Sequence, residues 1–300
     1  MKCNRVLLIV LSVLLVSASA VAQEVISRKP QGGPPPLGIH WAKGVKAAAP
    51  THGRSPLMVW HNGPIMTSSA VQVIYWGTSW GNSSFVGDKI TGLTSWYTGF
   101  SGSNYAKTSD EYTGTNGQVG PTNTLGSDVI DLSPAGSGAK TSTILAEVCR
   151  KIAAPAANGY YPVYVDLPRG HAGYCAYHSW GSCGSTPVQF AFFWNLDGDP
   201  GCDPQDTSGL HSQGLAALSN VSGHELSEAR TDPTGAGWFD TSGAENGDKC
   251  AWTFNVPLVT LGSGSNSAKW KIQGEWSNAA YNAGTGYPNS SGQKGCLDGH

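Results

Sequence analysis

Charge is scarce in this chain: Asp, Glu, Lys and Arg make up 13% of it and the formal net charge is −2, where an ordinary globular domain carries roughly 25% charged residues. With no positive surplus there is no electrostatic footprint for nucleic acid or for an anionic membrane. Long apolar runs are also missing. The stretch from Val6 to Val16 comes nearest, and it is too short for a membrane span. It follows Lys2 and Arg5 and precedes Ala20-Val21-Ala22, so residues 1–22 read as a secretory signal. Cys3 precedes the apolar run and is badly placed for lipid attachment. The mature chain is expected outside the cell, with no membrane anchor.

Cys149, Cys175, Cys183, Cys202, Cys250 and Cys296 remain after that cut. An even number in an oxidising destination favours disulfides over a thiolate metal site. Among roughly 15 pairings, the short Cys175 to Cys183 loop is the one singled out. Gly, Ser, Thr and Asn are plentiful and there are eleven Trp, a composition that suits an extracellular globular protein. Tryptophans can line a carbohydrate-facing surface, but any one of them is more often core. Residues 23–56, rich in Pro, Gly and Ala from Lys29 to Pro56, read as a poorly ordered lead-in. Residues 57–300 are enough for a single domain with its own core.

Within that domain, Val71 to Trp76 is β-branched and aromatic and reads as a buried strand, and Tyr161–Val165 and Gln189–Trp194 read as two more. Phe85 to Tyr97 reads as a helix. Thr141 to Ile152 is the clearest one, with Ile144, Leu145, Val148, Cys149 and Ile152 at three- and four-residue spacing and Arg150 and Lys151 near its end. Ser208 to Thr231 is a third, stopped by Pro233. Thr234 to Lys249 carries several Gly and Asp and reads as a loop.

The third helix contains the most informative residues, His224-Glu225-Leu226-Ser227-Glu228-Ala229-Arg230-Thr231-Asp232-Pro233. His224 and Glu228 stand one turn apart on one face with Glu225 beside them, the placement by which a helix presents two metal ligands and a base. The second imidazole of the zinc-peptidase pattern is here a carboxylate, which zinc also accepts. On a wheel of about 100° per residue, Leu215, Leu218, Ser222, Leu226 and Ala229 form one stripe and Ala217, Val221, His224 and Glu228 an adjoining one. Glu225 falls between them, where a carboxylate is costly without a partner. The bland alternative is a solvated face whose His and two Glu bond their neighbours.

Two regions resemble the secreted EXORDIUM, or phosphate-induced protein, family known from plant cell walls and its bacterial relatives. One is Val59-Trp60-His61-Asn62-Gly63-Pro64 with the strand into Trp76-Gly77. The other runs from Gly223 to Cys250, through the helix motif, Trp238-Phe239-Asp240 and Glu245-Asn246-Gly247-Asp248-Lys249-Cys250, and is similar to the bacterial branch. Between them, Gly173-Tyr174-Cys175 and Cys183-Gly184 resemble its G-F-C and C-G pairs. The resemblance implies an extracellular protein tied in plants to wall growth.

Other patterns compete. Gly77-Thr78-Ser79-Trp80-Gly81 matches the nucleophile elbow of a serine esterase, with Asp197 or Asp199 and then His211 or His224 in suitable order; a plain Gly-Ser turn is the simpler account. Asp197, Asp199 and Asp203 lie in an oxygen-rich stretch that could take calcium or be a solvated acidic turn. His178 could be a further ligand, though a surface or hydrogen-bonded role is commoner.

The fold expected is α+β and zincin-like, a twisted mixed sheet packed against helices, one carrying His-Glu-x-x-Glu. The function expected is that of a secreted zinc-dependent hydrolase acting on extracellular peptides. His224 and Glu228 would bind zinc, Glu245 or Asp240 would complete the set, and Glu225 would act as base toward water polarised by the metal. Asp232 and Asp248 would stand behind the ligands and orient them. The rival is a non-catalytic module that binds wall polysaccharide, with a structural metal.

Overall fold

The structure, a computed structural model, describes residues 32–45, 55–264 and 268–300. The expected signal at 1–22 lies outside them. Gly159–Pro168, Tyr174–Cys183 and Thr186–Asn195 are the long strands. They are aromatic and β-branched along nearly their whole length because both faces of the sheet are covered. The middle one, unforeseen in the sequence, returns into Thr186–Asn195 through a tight hairpin turned at Gly184, whose φ is +63°. Thr186–Asn195 then runs parallel to Gly159–Pro168. Beyond it the sheet continues, all parallel, through Ser69–Val71 and Ile74–Trp76 to Asn123–Leu125 and Val129–Asp131. The sheet is therefore mixed, twisted and packed against helices, as expected.

The opposite edge corrects the sequence reading. Residues 32–45, expected as part of a poorly ordered lead-in, supply the strand Ile39–Trp41, antiparallel to Tyr174–Cys183. Backbone bonds from Leu37 to His178 and from His178 to Gly38 stitch the approach in place.

Side chains alternate across a strand, and that alternation assigns the two faces. Tyr164 and Phe193 are in register and stacked at 4.4 Å, and the Tyr164 hydroxyl meets Ser222 Oγ at 2.6 Å, so this face receives the motif helix. Tyr177 and Phe192 point the other way, toward the Thr141–Lys151 helix and the loop before it. His178, next to Tyr177, thus faces the motif helix. His40 does too, because it pairs with Ala176.

The motif helix spans Gln213–Thr231, starting later than Ser208 because Ser212 caps it, its Oγ accepting from the Leu215 amide at 3.2 Å. Every residue from Gly214 to Thr231 is buried, so the helix is enclosed all round instead of presenting one apolar stripe. Lys89–Phe100 packs closely on it where Gly92 admits Leu215. That second helix is separate from a short turn at Ser83–Val86, since Gly87 (φ +51°) breaks the continuous helix read from Phe85 to Tyr97. The expected loop 234–249 holds a strand, Trp238–Phe239, paired with Val59–Trp60, and a one-turn helix, Asn246–Lys249.

Cysteines pair as Cys149–Cys183, Cys175–Cys202 and Cys250–Cys296. The Cys175–Cys183 pairing is excluded because both residues belong to one extended strand, where eight steps of ~3.3 Å hold them about 26 Å apart. Three disulfides fit an oxidising compartment. No helix among the described residues is long and apolar enough to cross a membrane.

Candidate metal centre

One turn of chain and one strand of the sheet converge on the motif helix. The Asn246–Lys249 turn places the Asp248 amide 2.9 Å from Glu228 Oε1, which pins that carboxylate, and the Glu245 amide 3.2 Å from Asp248 Oδ2. His224 Nε2 lies 3.1 Å from Glu228 Oε1 and 3.7 Å from Asp248 Oδ1. From the sheet, His178 Nε2 lies 3.2 Å from Glu245 Oε2 and 3.8 Å from Glu228 Oε2. The side chains of His178, His224 and Glu228 are fully buried; that of Asp248 is 22% exposed. These residues form two groups with ligand spacing, His224–Glu228–Asp248 and His178–Glu228–Glu245.

Buried acid of this density is either protonated or matched by a cation. No Lys or Arg forms an ion pair with Glu225, Glu228, Glu245 or Asp248 among the described residues. Burial, then the neighbouring Glu228 and Asp248, pushes the Glu225 carboxyl well above its usual range, and burial does the same to Glu228 and to Glu245, the latter crowded also by Glu228. Asp248 is pushed up to about 7 by burial and by Glu228. Burial also drives His178 down to about 3 and His224 down to about 4, so both rings are neutral near pH 7, the state in which imidazole binds metals. Glu225 meets no donor at hydrogen-bonding geometry on either oxygen, and Glu228 Oε2 and His224 Nε2 are likewise buried without a hydrogen bond.

These shifts predict how the metal-free protein responds to pH. Carboxyls with a raised folded value stabilise the fold while protonated, and that contribution is lost as pH rises through the folded values. The lowered histidines act in the opposite sense, costing stability as pH falls below about 6.5, where unfolded imidazoles charge. Between pH 6.5 and about 7.5 the partly charged unfolded imidazoles still offset some of the carboxyl slope, and above it the carboxyls act alone. Chelated protein is expected to lose about 1.4 kcal/mol per pH unit for each proton held only by the folded state, with added zinc restoring more stability at pH 8 than at pH 6.5. Thermal melts that stay flat over this range would contradict the carboxylate cluster.

Gln273 ties the two nearest imidazoles together. Its Nε2 donates to the Gly247 carbonyl at 2.8 Å and faces His224 Nδ1 at 3.1 Å, while its Oε1 faces His40 Nε2 at 3.0 Å. This arrangement makes His224 Nδ1 the acceptor and leaves the ring proton on Nε2, toward Glu228. Holding a metal on Nε2 would transfer that proton to Nδ1 and require the Gln273 amide to turn its oxygen to it. His40 packs against His224 with ring centres 4.3 Å apart and is covered by Trp252 at 4.5 Å.

The third-ligand alternatives separate clearly. Glu245 reaches the cluster, whereas Asp240 is occupied by Lys249 Nζ at 2.9 Å and by the Ser242 and Ala244 amides. Asp248, expected behind the ligands, is instead in a ligand group. Asp232 accepts the Gly237 amide at 2.7 Å and organises the loop after the helix; it bonds neither histidine. The calcium candidates Asp197, Asp199 and Asp203 are not among the groups with ligand spacing in the described residues. Asp197 is paired with Lys89, Asp199 is bonded by Arg169, and Asp203 closes its own turn on the Gln205 amide. The esterase arrangement is not assembled either. Ser79 lies in a 3-10 turn with its amide on Asp166, no histidine bonds it, and His211 stacks on Trp270. Of the eleven Trp, Trp60 alone is among the exposed large hydrophobics, and six are buried.

Neither family models, curated proteins nor solved structures match this chain. Functional inference therefore rests on the residues themselves.

Proposed function

We propose that this chain is a secreted, zinc-dependent hydrolase of the peptidase type, zincin-like in its use of a helical His-Glu-x-x-Glu, and a member of the EXORDIUM-like family whose W-H-N-G-P and H-E-L-S-E-A-R-T-D-P segments it resembles. The observation carrying this reading is Glu225: a fully buried carboxyl, next in chain to His224, approached by the His40 amide but with neither oxygen in a hydrogen bond of good geometry. Such a group is costly in a purely structural interior.

His224, Glu228 and Asp248 would hold the zinc; Glu245, and not Asp240, is the further carboxyl beside them, grouped with His178 and Glu228. Zinc supplies Lewis acidity, polarising a carbonyl and making water acidic enough to attack near neutral pH. Glu225, its carboxyl raised by burial, would be the residue to accept a proton from water and return it to the leaving amine. Asp248, partly exposed, borders the route by which substrate enters. The mixed sheet supports the zincin-like reading, since its outermost strand Ile39–Trp41 runs antiparallel beside the centre and carries His40 against His224.

Burial of most of the ligands favours a second reading, a structural metal in a non-catalytic wall-binding module. Two measurements separate the readings: zinc content of mature protein purified without chelator, and cleavage of an unfolded protein substrate such as casein. The hydrolase reading expects zinc and chelator-sensitive cleavage. Zinc without cleavage supports the structural metal, and protein that takes up no zinc when supplied with it defeats both.

A further inference from the structure

Glu228 offers its two oxygens to different partners. Oε1 lies 3.1 Å from His224 Nε2, and the same nitrogen is 3.7 Å from Asp248 Oδ1. Oε2 lies 3.8 Å from His178 Nε2, and that nitrogen is 3.2 Å from Glu245 Oε2. An ion with tetrahedral arms of ~2.1 Å has its donors about 3.4 Å apart, and both pairs of distances straddle that edge. Each triad is thus spaced to hold an ion of its own.

One ion cannot serve both in this arrangement. The donors of each triad lie within 4.8 Å of one another, but the five do not merge into one such set. Two donors on opposite sides of a single ion with ~2.1 Å arms are at most about 4.2 Å apart. Glu228 alone belongs to both groups.

We infer that Glu228 is a bridging carboxylate between two divalent cations, one held by His224 and Asp248 and the other by His178 and Glu245. The inference rests on the metal-binding reading above and refines it to a two-metal hydrolase. Independent support comes from Glu228 Oε2 and His224 Nε2, both buried and without a hydrogen bond. Two glycines hold the bridge between backbone segments: a Cβ on Gly38 would stand 1.5 Å from Glu228 Oε2, and one on Gly247 would stand 3.0 Å from Oε1. Charge agrees as well, since Glu225, Glu228, Glu245 and Asp248 together match two dications with no Lys or Arg paired to them. Carboxylates and imidazole suit zinc and manganese, and pairs of such ions about 3.5–4 Å apart are used to clamp both oxygens of a displacement.

The test is metal stoichiometry with a spectroscopic reading of the bridge. Chelated full-length mature protein is reloaded with Zn²⁺ for elemental analysis and with Mn²⁺ for electron paramagnetic resonance. Two zinc ions per chain and an exchange-coupled manganese spectrum are expected. His178→Ala should reduce the count to one and leave the six-line spectrum of isolated manganese. Gly38→Ala, which displaces Glu228 Oε2 without removing a ligand, should do the same and serves if His178→Ala does not fold. One ion per wild-type chain overturns the bridge but leaves the metal-binding reading standing; no ion overturns both. Two uncoupled ions, or a coupled pair surviving in folded His178→Ala, also overturn the inference.

Discussion

His224→Ala protein is expected to lose the zinc of the His224–Glu228–Asp248 triad on dialysis under conditions in which the wild type keeps it, with affinity there falling well beyond the 10- to 100-fold typical of removing a group that merely orients a ligand. The reason is geometric. His224 Nε2 is the nitrogen donor of its triad, and Glu228 and Asp248 are left as two carboxylates with no imidazole between them. Stability follows affinity: at a free zinc concentration 100 times the dissociation constant, the wild type gains about 2.7 kcal/mol from binding, and the variant forfeits most of it. For a domain of this size that is a fall of about 5–10 °C in melting temperature with zinc present, and a much smaller difference after chelation. Elemental analysis beside melts with and without zinc checks the claim. Equal zinc content in variant and wild type would show that the helix does not bind the ion.

Glu225→Gln should act in the opposite way. Gln keeps the size of the side chain and cannot take a proton, so hydrolysis should fall by about 10²–10⁴-fold while zinc content stays unchanged. The melting temperature of the chelated variant should also depend less on pH between 6.5 and 8, because a buried carboxyl raised by its surroundings has been removed. Retained cleavage would mean that the base lies elsewhere. Retained zinc with lost cleavage would assign Glu225 to the proton transfer, which a merely structural metal site does not need.

The helix motif was legible because its geometry is local. A spacing of four residues on a helix fixes the approach of His224 and Glu228 whatever surrounds them, and a single acidic stretch downstream contained both Glu245 and Asp248. What separates Glu245 from Asp240 is not local. Lys249 lies on the same turn as Asp248 and draws Asp240 aside, a pairing that no spacing rule reveals. The sequence leaves His178 between a further ligand and a surface or hydrogen-bonded histidine, because the strand carrying it is not legible there. Once Tyr177 is known to face the far layer, the alternation of a strand turns His178 toward the helix. His40 and Gln273 carried no signal at all: one lies in a Pro- and Gly-rich stretch, the other in an unremarked C-terminal segment, and only folding places both at the His224 ring.

By itself the sequence determined the local and compositional facts: a helix presenting His224, Glu225 and Glu228 together, buried aromatic strands, six cysteines suited to an oxidising compartment, and too little positive charge for nucleic acid. Tertiary structure decided the pairing of those cysteines, the edge strand formed from residues 39–41, the gathering of Glu245 and Asp248 instead of Asp240 beside the histidines, and the division of Glu228's two oxygens between two histidines. The physical reason is range. Helical spacing and burial preference act between near neighbours and can be read along the chain, whereas a cluster of buried donors exists only where distant segments are packed together.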